Sequence, residues 1–300
     1  MQKESKRFYE YIVSVERYSE NTKQSYQNDI DSFASFILIS YEITDPTLIT
    51  HFHIRSWIVS LMESKCSTRT IHRKISALST FFKFLRKFEG LEKDPMKKIV
   101  RPKTQKRLPI VVPENDLTQT LRLKAGTENE YSAVMSNLMV NLLYSAGLRR
   151  SELISLLEKD IDRDRMLIKV TGKGKKERFV PINEQILKMM DHYIDVKRLI
   201  LKQGSDNFLF LTIHGKPVYP KLVYNIVNGH LKSIPNLERK SPHILRHTFA
   251  THLSDSGADI NAIKMLLGHS SLAATQVYMH NAPHRLKAVY NKSHPRADKD

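Results

Sequence analysis

The chain has 300 residues, with 48 Lys or Arg against 31 Asp or Glu and a formal net charge of +17. That length suffices for two domains with separate cores, and that charge favours a polyanionic partner, because each cation brought to a phosphate releases condensed counterions. A single cysteine, Cys66, excludes an internal disulfide or thiolate metal site. The charged start Met1–Glu10 and the lack of an apolar run of about 18 residues exclude a membrane span, so a cytoplasmic location is expected.

From Ser5 to about Glu92 apolar residues recur at helical spacing. One helix is predicted from Ser5 through Val15. Another is predicted to start at Asn21 as its cap, with Tyr26, Ile30, Phe33, Phe36 and Ile37 on one face. Asp45-Pro46 marks a break, and a third helix covers Phe52 to Glu63, with the only tryptophan, Trp57. After Ser67, a natural N-cap, Thr68 to Phe88 reads as one helix facing inward through Ile71, Ile75, Leu78, Phe82 and Leu85.

Positive charge gathers on and after that last helix: Lys65 to Arg107 holds 14 Lys or Arg against three acids, Glu89, Glu92 and Asp94. Arg69, Arg73, Lys74 and Lys83, with Lys103 beyond and Lys175 further on, are the candidate DNA contacts, since cations off the apolar stripe suit a phosphate backbone. Met96 to Pro113 has prolines at 102, 109 and 113 and no helical period, as expected of an extended linker. The expected division is a helical domain 1–100, a linker 101–113 and a second domain 114–300.

In the second domain Glu114–Leu123, Tyr131–Ser145 and Ser151–Leu157 read as helical, with Gly147 as a stop. The period then changes to two: Met166–Val170 and Arg178–Ile182 flank Gly172-Lys173-Gly174-Lys175, a hairpin signal. Helices resume at Gln185. The expected fold class is mostly α with a small β-hairpin.

Six residues carry chemistry. Arg149 sits where a glycine stop meets a new helix start, and Lys173 lies at the hairpin tip, next to Lys175 and Lys176. In Ser241-Pro242-His243-Ile244-Leu245-Arg246, Ser241 can cap, Pro242 occupies the first turn, and His243 and Arg246 share a face expected to look outward. His269 follows a short helix, Asp259 to Leu267, and Tyr278 comes nine residues later. An arginine fork matches two phosphate oxygens at any working pH, so two arginines can hold a phosphorane charge without a divalent ion. Neither a metal nor a cofactor is expected.

In order, Arg149, Lys173, His243-x-x-Arg246, His269 and Tyr278 resemble the pattern of the tyrosine recombinases, most closely their Xer branch. Gly147–Leu153, Gly172–Pro181 and Ser241–Leu253 share the resemblance, as do Leu266–Tyr278 and Arg285 through Ala297. Arg150 offers a second candidate for the first arginine. The resemblance implies an α-helical SAM-like core-binding domain and an α+β catalytic domain that clamp double-stranded DNA. It implies attack by Tyr278 on a phosphodiester, a 3′-phosphotyrosyl intermediate and rejoining to a partner duplex. Arg149 and Arg246 would neutralise the phosphorane, His269 would bond it, Lys173 would act as acid, and His243 would accept or orient the tyrosyl proton. It further implies a tetramer on two sites, alone or with a second recombinase, and a DNA translocase of the division machinery as a further partner. Arg285 to Tyr290 is expected to form a short helix that docks on a neighbour or packs on its own domain. A type IB topoisomerase and a non-catalytic DNA-binding protein are the competing readings.

Overall fold

The computed structural model describes every residue except 17, 104–110, 123–128, 173, 175, 202–206, 236, 269–289, 291–292 and 295–300. The chain divides into two compact units, Met1–Arg107 and Leu108–Asp300, each with its own hydrophobic core. Among the described residues, no helix is long and apolar enough to cross a membrane.

The first unit is built from α1 (Gln2–Ser14), α2 (Glu20–Tyr41), α3 (His51–Glu63) and α4 (Thr68–Phe88). Helix α4 has its expected bounds. The Ser67 hydroxyl accepts from the Thr70 amide, and Ile71, Ile75, Leu78, Phe82 and Leu85 are all buried. Helix α2 is capped by Ser19 rather than Asn21: the Ser19 backbone is extended and its hydroxyl accepts from Thr22, whereas Asn21 already lies inside the first turn. Of its expected apolar face, Ile30, Phe33 and Ile37 are fully buried, while Tyr26 and Phe36 pack at the margin. Phe8 meets Phe81 edge-on at 5.3 Å between ring centroids, and Phe33 meets Trp57 at 5.0 Å, the geometry that aligns a positive ring edge with a negative face.

The second unit is organised around α6 (Glu130–Ser145), nearly every residue of whose later turns is buried. Around it stand α5 (Glu114–Arg122), α7 (Arg150–Ile154), α8 (Glu184–Ile200), α9 (Pro220–His230), α10 (Pro242–Asp255) and α11 (Ile260–Leu267). A three-stranded antiparallel sheet, β1 (Ile161–Asp162), β2 (Leu167–Thr171) and β3 (Glu177–Pro181), contains the expected hairpin plus a short edge strand absent from the sequence reading.

The register pairs Ile168 with Val180 and Val170 with Arg178. Because directly paired residues share a face, Arg178 lies on the same face as buried Ile168, Val170 and Val180, while Phe179 is turned out and 45% exposed. A charged residue on the buried face of a strand needs a buried counterion.

Candidate active site

That counterion is Glu152. It sits at the third position of α7, 2% exposed, and three arginines from separate parts of the chain converge on it. Arg178 binds both oxygens, Nη1 to Oε1 at 2.8 Å and Nη2 to Oε2 at 2.9 Å. Arg149 donates Nη1 to Oε1 at 2.7 Å and its backbone amide to Oε2 at 2.8 Å. Arg246 Nη1 stands 3.6 Å from Oε2. Burial alone would raise the Glu152 pKa. The Arg178 bonds and charge, and the Arg149 amide and guanidinium, overcome that and hold it down at about 2.

Arg149 is the N-cap of α7, and the Glu152 carboxylate reaches back to accept from its amide, which satisfies one orphan donor at the helix start. Its Nη2 donates to the Gly268 carbonyl at 3.2 Å. Arg150 is exposed on the first turn of α7, so Arg149 is the one of the pair that joins the cluster.

Arg246 corrects one expectation. It was expected to look outward with His243, yet it is 8% exposed while His243 is exposed. Carbonyls replace the lost water: Nη1 donates to Gly147 O at 2.7 Å and Nη2 to Leu267 O. Burial first, then the nearby Arg149 charge, lower its pKa to about 10, which leaves it a cation at neutral pH. Leu245, Phe249 and Leu253, also on α10, face the core. Ser241 occupies the cap position of α10 without a side-chain capping bond, and Pro242 fills the first turn.

The short helix α11 is capped by Asp259, whose carboxylate accepts from Asn261 and Ala262, and it ends at Gly268 with φ +63°. Its last carbonyls, those of Leu266, Leu267 and Gly268, accept from Arg178, Arg246 and Arg149 in turn. The structure therefore gathers two of the six proposed catalytic side chains, Arg149 and Arg246, around one carboxylate and one helix end, with His243 at the start of α10. Lys173, His269 and Tyr278 lie outside the described residues, as does Lys175.

Glu152 and Arg178 escaped the sequence reading. The signal for Arg178 lay in the strand alternation, where Arg178 is in phase with Val180 and the apolar Phe179 is out of phase.

On the first unit, Arg69, Lys83 and Lys103 are exposed. Arg73 and Lys74 instead converge on Asp29, which is 1% exposed, with Lys74 Nζ 3.2 Å from its Oδ1 and 5.3 Å above the Trp57 ring. The Arg73 side chain remains 43% exposed beside that pairing.

Residues 116–285 match the phage integrase family, and residues 6–88 match the phage integrase N-terminal SAM-like domain. The chain belongs to the phage integrase family. Among curated members it is 31% identical to tyrosine recombinase XerC of Chlorobaculum parvum, covering 97% of this chain and 94% of that protein. It is 32% identical to tyrosine recombinase XerD of Staphylococcus haemolyticus, covering 96% and 98%. Similarity at this level over nearly the whole length places this family member in the Xer-like branch of tyrosine recombinases. Its fold matches that of the XerH site-specific recombinase in a post-cleavage complex with palindromic difH substrate, with a TM-score of 0.73 and 19% identity over 95% of this chain and 83% of that one.

Proposed function

We propose that this family member is a site-specific DNA recombinase of the Xer type that cuts and rejoins double-stranded DNA through a 3′-phosphotyrosyl intermediate. The observation that carries the reading is the convergence of Arg149 and Arg246, two fixed cations, on opposite oxygens of Glu152. Such a pair, pre-aligned before substrate arrives, suits a pentacoordinate phosphate whose charge grows in the transition state.

In the proposed step the Tyr278 oxygen bonds to phosphorus, its proton passes to or by way of His243, and the P–O5′ bond breaks. The departing 5′ oxygen takes a proton from Lys173, while His269 donates to a nonbridging oxygen. Bond energy stays in the phosphotyrosyl link, so the 5′ hydroxyl of a partner duplex can reverse the step. Two arginines supply the charge that a divalent ion would otherwise supply, which is the basis for proposing metal-independent chemistry.

Residues 1–100 would be the core-type DNA-binding domain and 114–300 the catalytic domain, joined by 101–113, each contributing to DNA binding in the cytoplasm. A tetramer on two sites, of this chain alone or with a second recombinase, is the proposed assembly.

The test is a suicide substrate, a duplex nicked beside the cleavage point so that the 5′ fragment diffuses away. Wild type should accumulate a covalent complex, and Tyr278→Phe should form none while binding the duplex equally well. Trapping by the Phe variant would remove Tyr278 as nucleophile.

A further inference from the structure

Arg178 is held more fully than either arginine of the proposed phosphate cage, yet it stands outside the catalytic set. Its three guanidinium nitrogens are all committed: Nη1 and Nη2 to the two Glu152 oxygens, and Nε to the Leu266 carbonyl at 2.7 Å. Arg178 and those partners belong to three separate segments. Strand β3 carries Arg178 itself, α7 carries Glu152 beside Arg149, and the end of α11 supplies the carbonyls that hold Arg149 and Arg246.

Space around the group is equally restricted. A Cβ on Gly268 would stand 3.0 Å from Arg178 Nη1 and 3.1 Å from its Cδ, and one on Gly172 would stand 3.6 Å from Glu152 Oε1. The glycine at 268 lets the backbone close onto Arg178, whereas a Cβ at 172 would meet Glu152 only in ordinary van der Waals contact. The strand that bears Arg178 leaves the hairpin turn 172–176, which the Gly172 amide closes onto the Lys176 carbonyl at 2.7 Å and which includes Lys173 in sequence.

We propose that Arg178 is a positioning residue, which locks the β2–β3 hairpin to Glu152 and the end of α11 and thereby fixes the two phosphate-binding arginines relative to each other. This rests on the recombinase reading above. With its three nitrogens bonded to Glu152 and the Leu266 carbonyl, Arg178 acts through them. With it gone, Glu152 loses its two-pronged partner, turns more fully onto Arg149 and Arg246, and competes with the phosphate for them. The loss should therefore depend on the charge of the phosphate, which a merely structural role would not produce.

The probe is a nicked duplex built on the site that the wild-type protein selects from a random-sequence pool. It is made twice, with an ordinary phosphodiester and with a neutral methylphosphonate at the scissile position. Covalent-complex formation is measured in single turnover for wild type, Arg178→Met and Arg178→Lys, with duplex affinity measured alongside. Arg178→Met should form the complex roughly a hundredfold more slowly on the phosphodiester, the size of effect that follows when a cation aimed at the developing phosphorane charge is drawn away, and only a few-fold more slowly on the methylphosphonate, with unchanged affinity. Arg178→Lys, which keeps the charge but offers one head in place of a fork, should fall between, and it carries the comparison by itself should the Met variant fail to fold. Equal losses on both linkages, or no loss on either, overturn the proposal. Failure of wild type itself to form a covalent complex on either linkage overturns the recombinase reading instead.

Discussion

Arg246 donates to the backbone carbonyl of Gly147 at 2.7 Å, so the glycine that ends the loop after α6 is itself part of the arginine site. Gly147 has φ +58°, and a Cβ there would lie 2.5 Å and 2.7 Å from two carbons of the buried Phe249 ring. Gly147→Ala therefore meets two penalties, about 1–2 kcal/mol for the left-handed backbone and about 1–3 kcal/mol for overpacking. Urea denaturation should show a loss of at least about 2 kcal/mol, and cleavage should fall further than stability because the carbonyl that orients Arg246 moves. A variant as stable as wild type contradicts the described packing.

Glu152 links stability to pH. Its folded pKa, about 2, lies below its ordinary value of 4.5. Its contribution is thus present above about pH 4.5 and is lost as pH falls towards 2. Glu152→Gln should be less stable than wild type by on the order of 3 kcal/mol near neutrality, and the gap should close across that acid window. Other carboxylates titrate alike in both proteins, so the difference isolates this one. Parallel stability curves from pH 7 down to pH 2 would show that the arginines do not hold the carboxylate as described.

Local signals made much of the fold legible. Ser67 followed by five apolar residues at helical spacing defines α4, and the switch from period 3.6 to 2 around Gly172 defines the hairpin. The two arginines were legible as types, but their depth was not. Arg246 is buried because carbonyls from Gly147 and Leu267, distant in sequence, replace its water. Glu152 in a first turn reads as a routine capping acid. Only the tertiary approach of Arg178 and Arg246 makes it the centre of the site. Ser19 displaced Asn21 as a cap because both residue types suit the position and the preceding backbone decides between them.

The basic residues of the first unit divide by what they hold. Arg69 is exposed, whereas Arg73 pairs with buried Asp29. Arg69→Ala should lower DNA affinity and reduce the slope of log affinity against log salt by about 1, with no change in denaturation. Arg73→Ala should lower stability as well, by about 1–3 kcal/mol, since among the described residues Asp29 would keep only Lys74 as a cationic partner. Fluorescence anisotropy over a salt series, run beside urea denaturation, separates the two. Equal effects of both variants on stability would contradict the division.

The C-terminal segment bears on how truncations are read. Tyr290 and His294 are fully buried in the core of their own unit, stacked on each other at 4.7 Å between centroids, with His294 also 5.1 Å from Tyr144 and 5.3 Å from Phe249. Residues 285–289 of the expected helix lie outside the described residues, but Tyr290 itself packs in the core of its own unit, stacked on His294, where its large aromatic area is removed from water. Tyr290→Ala should cost about 3–5 kcal/mol through the cavity it leaves. Deletion from Arg285 onward removes both rings and should lower the melting temperature of the second unit by roughly 10 °C or more. Recombination lost by such a deletion would then report a weakened catalytic core rather than a broken contact with a neighbour. Scanning calorimetry decides between them, and a truncated protein that melts at the wild-type temperature would return the segment to the neighbour.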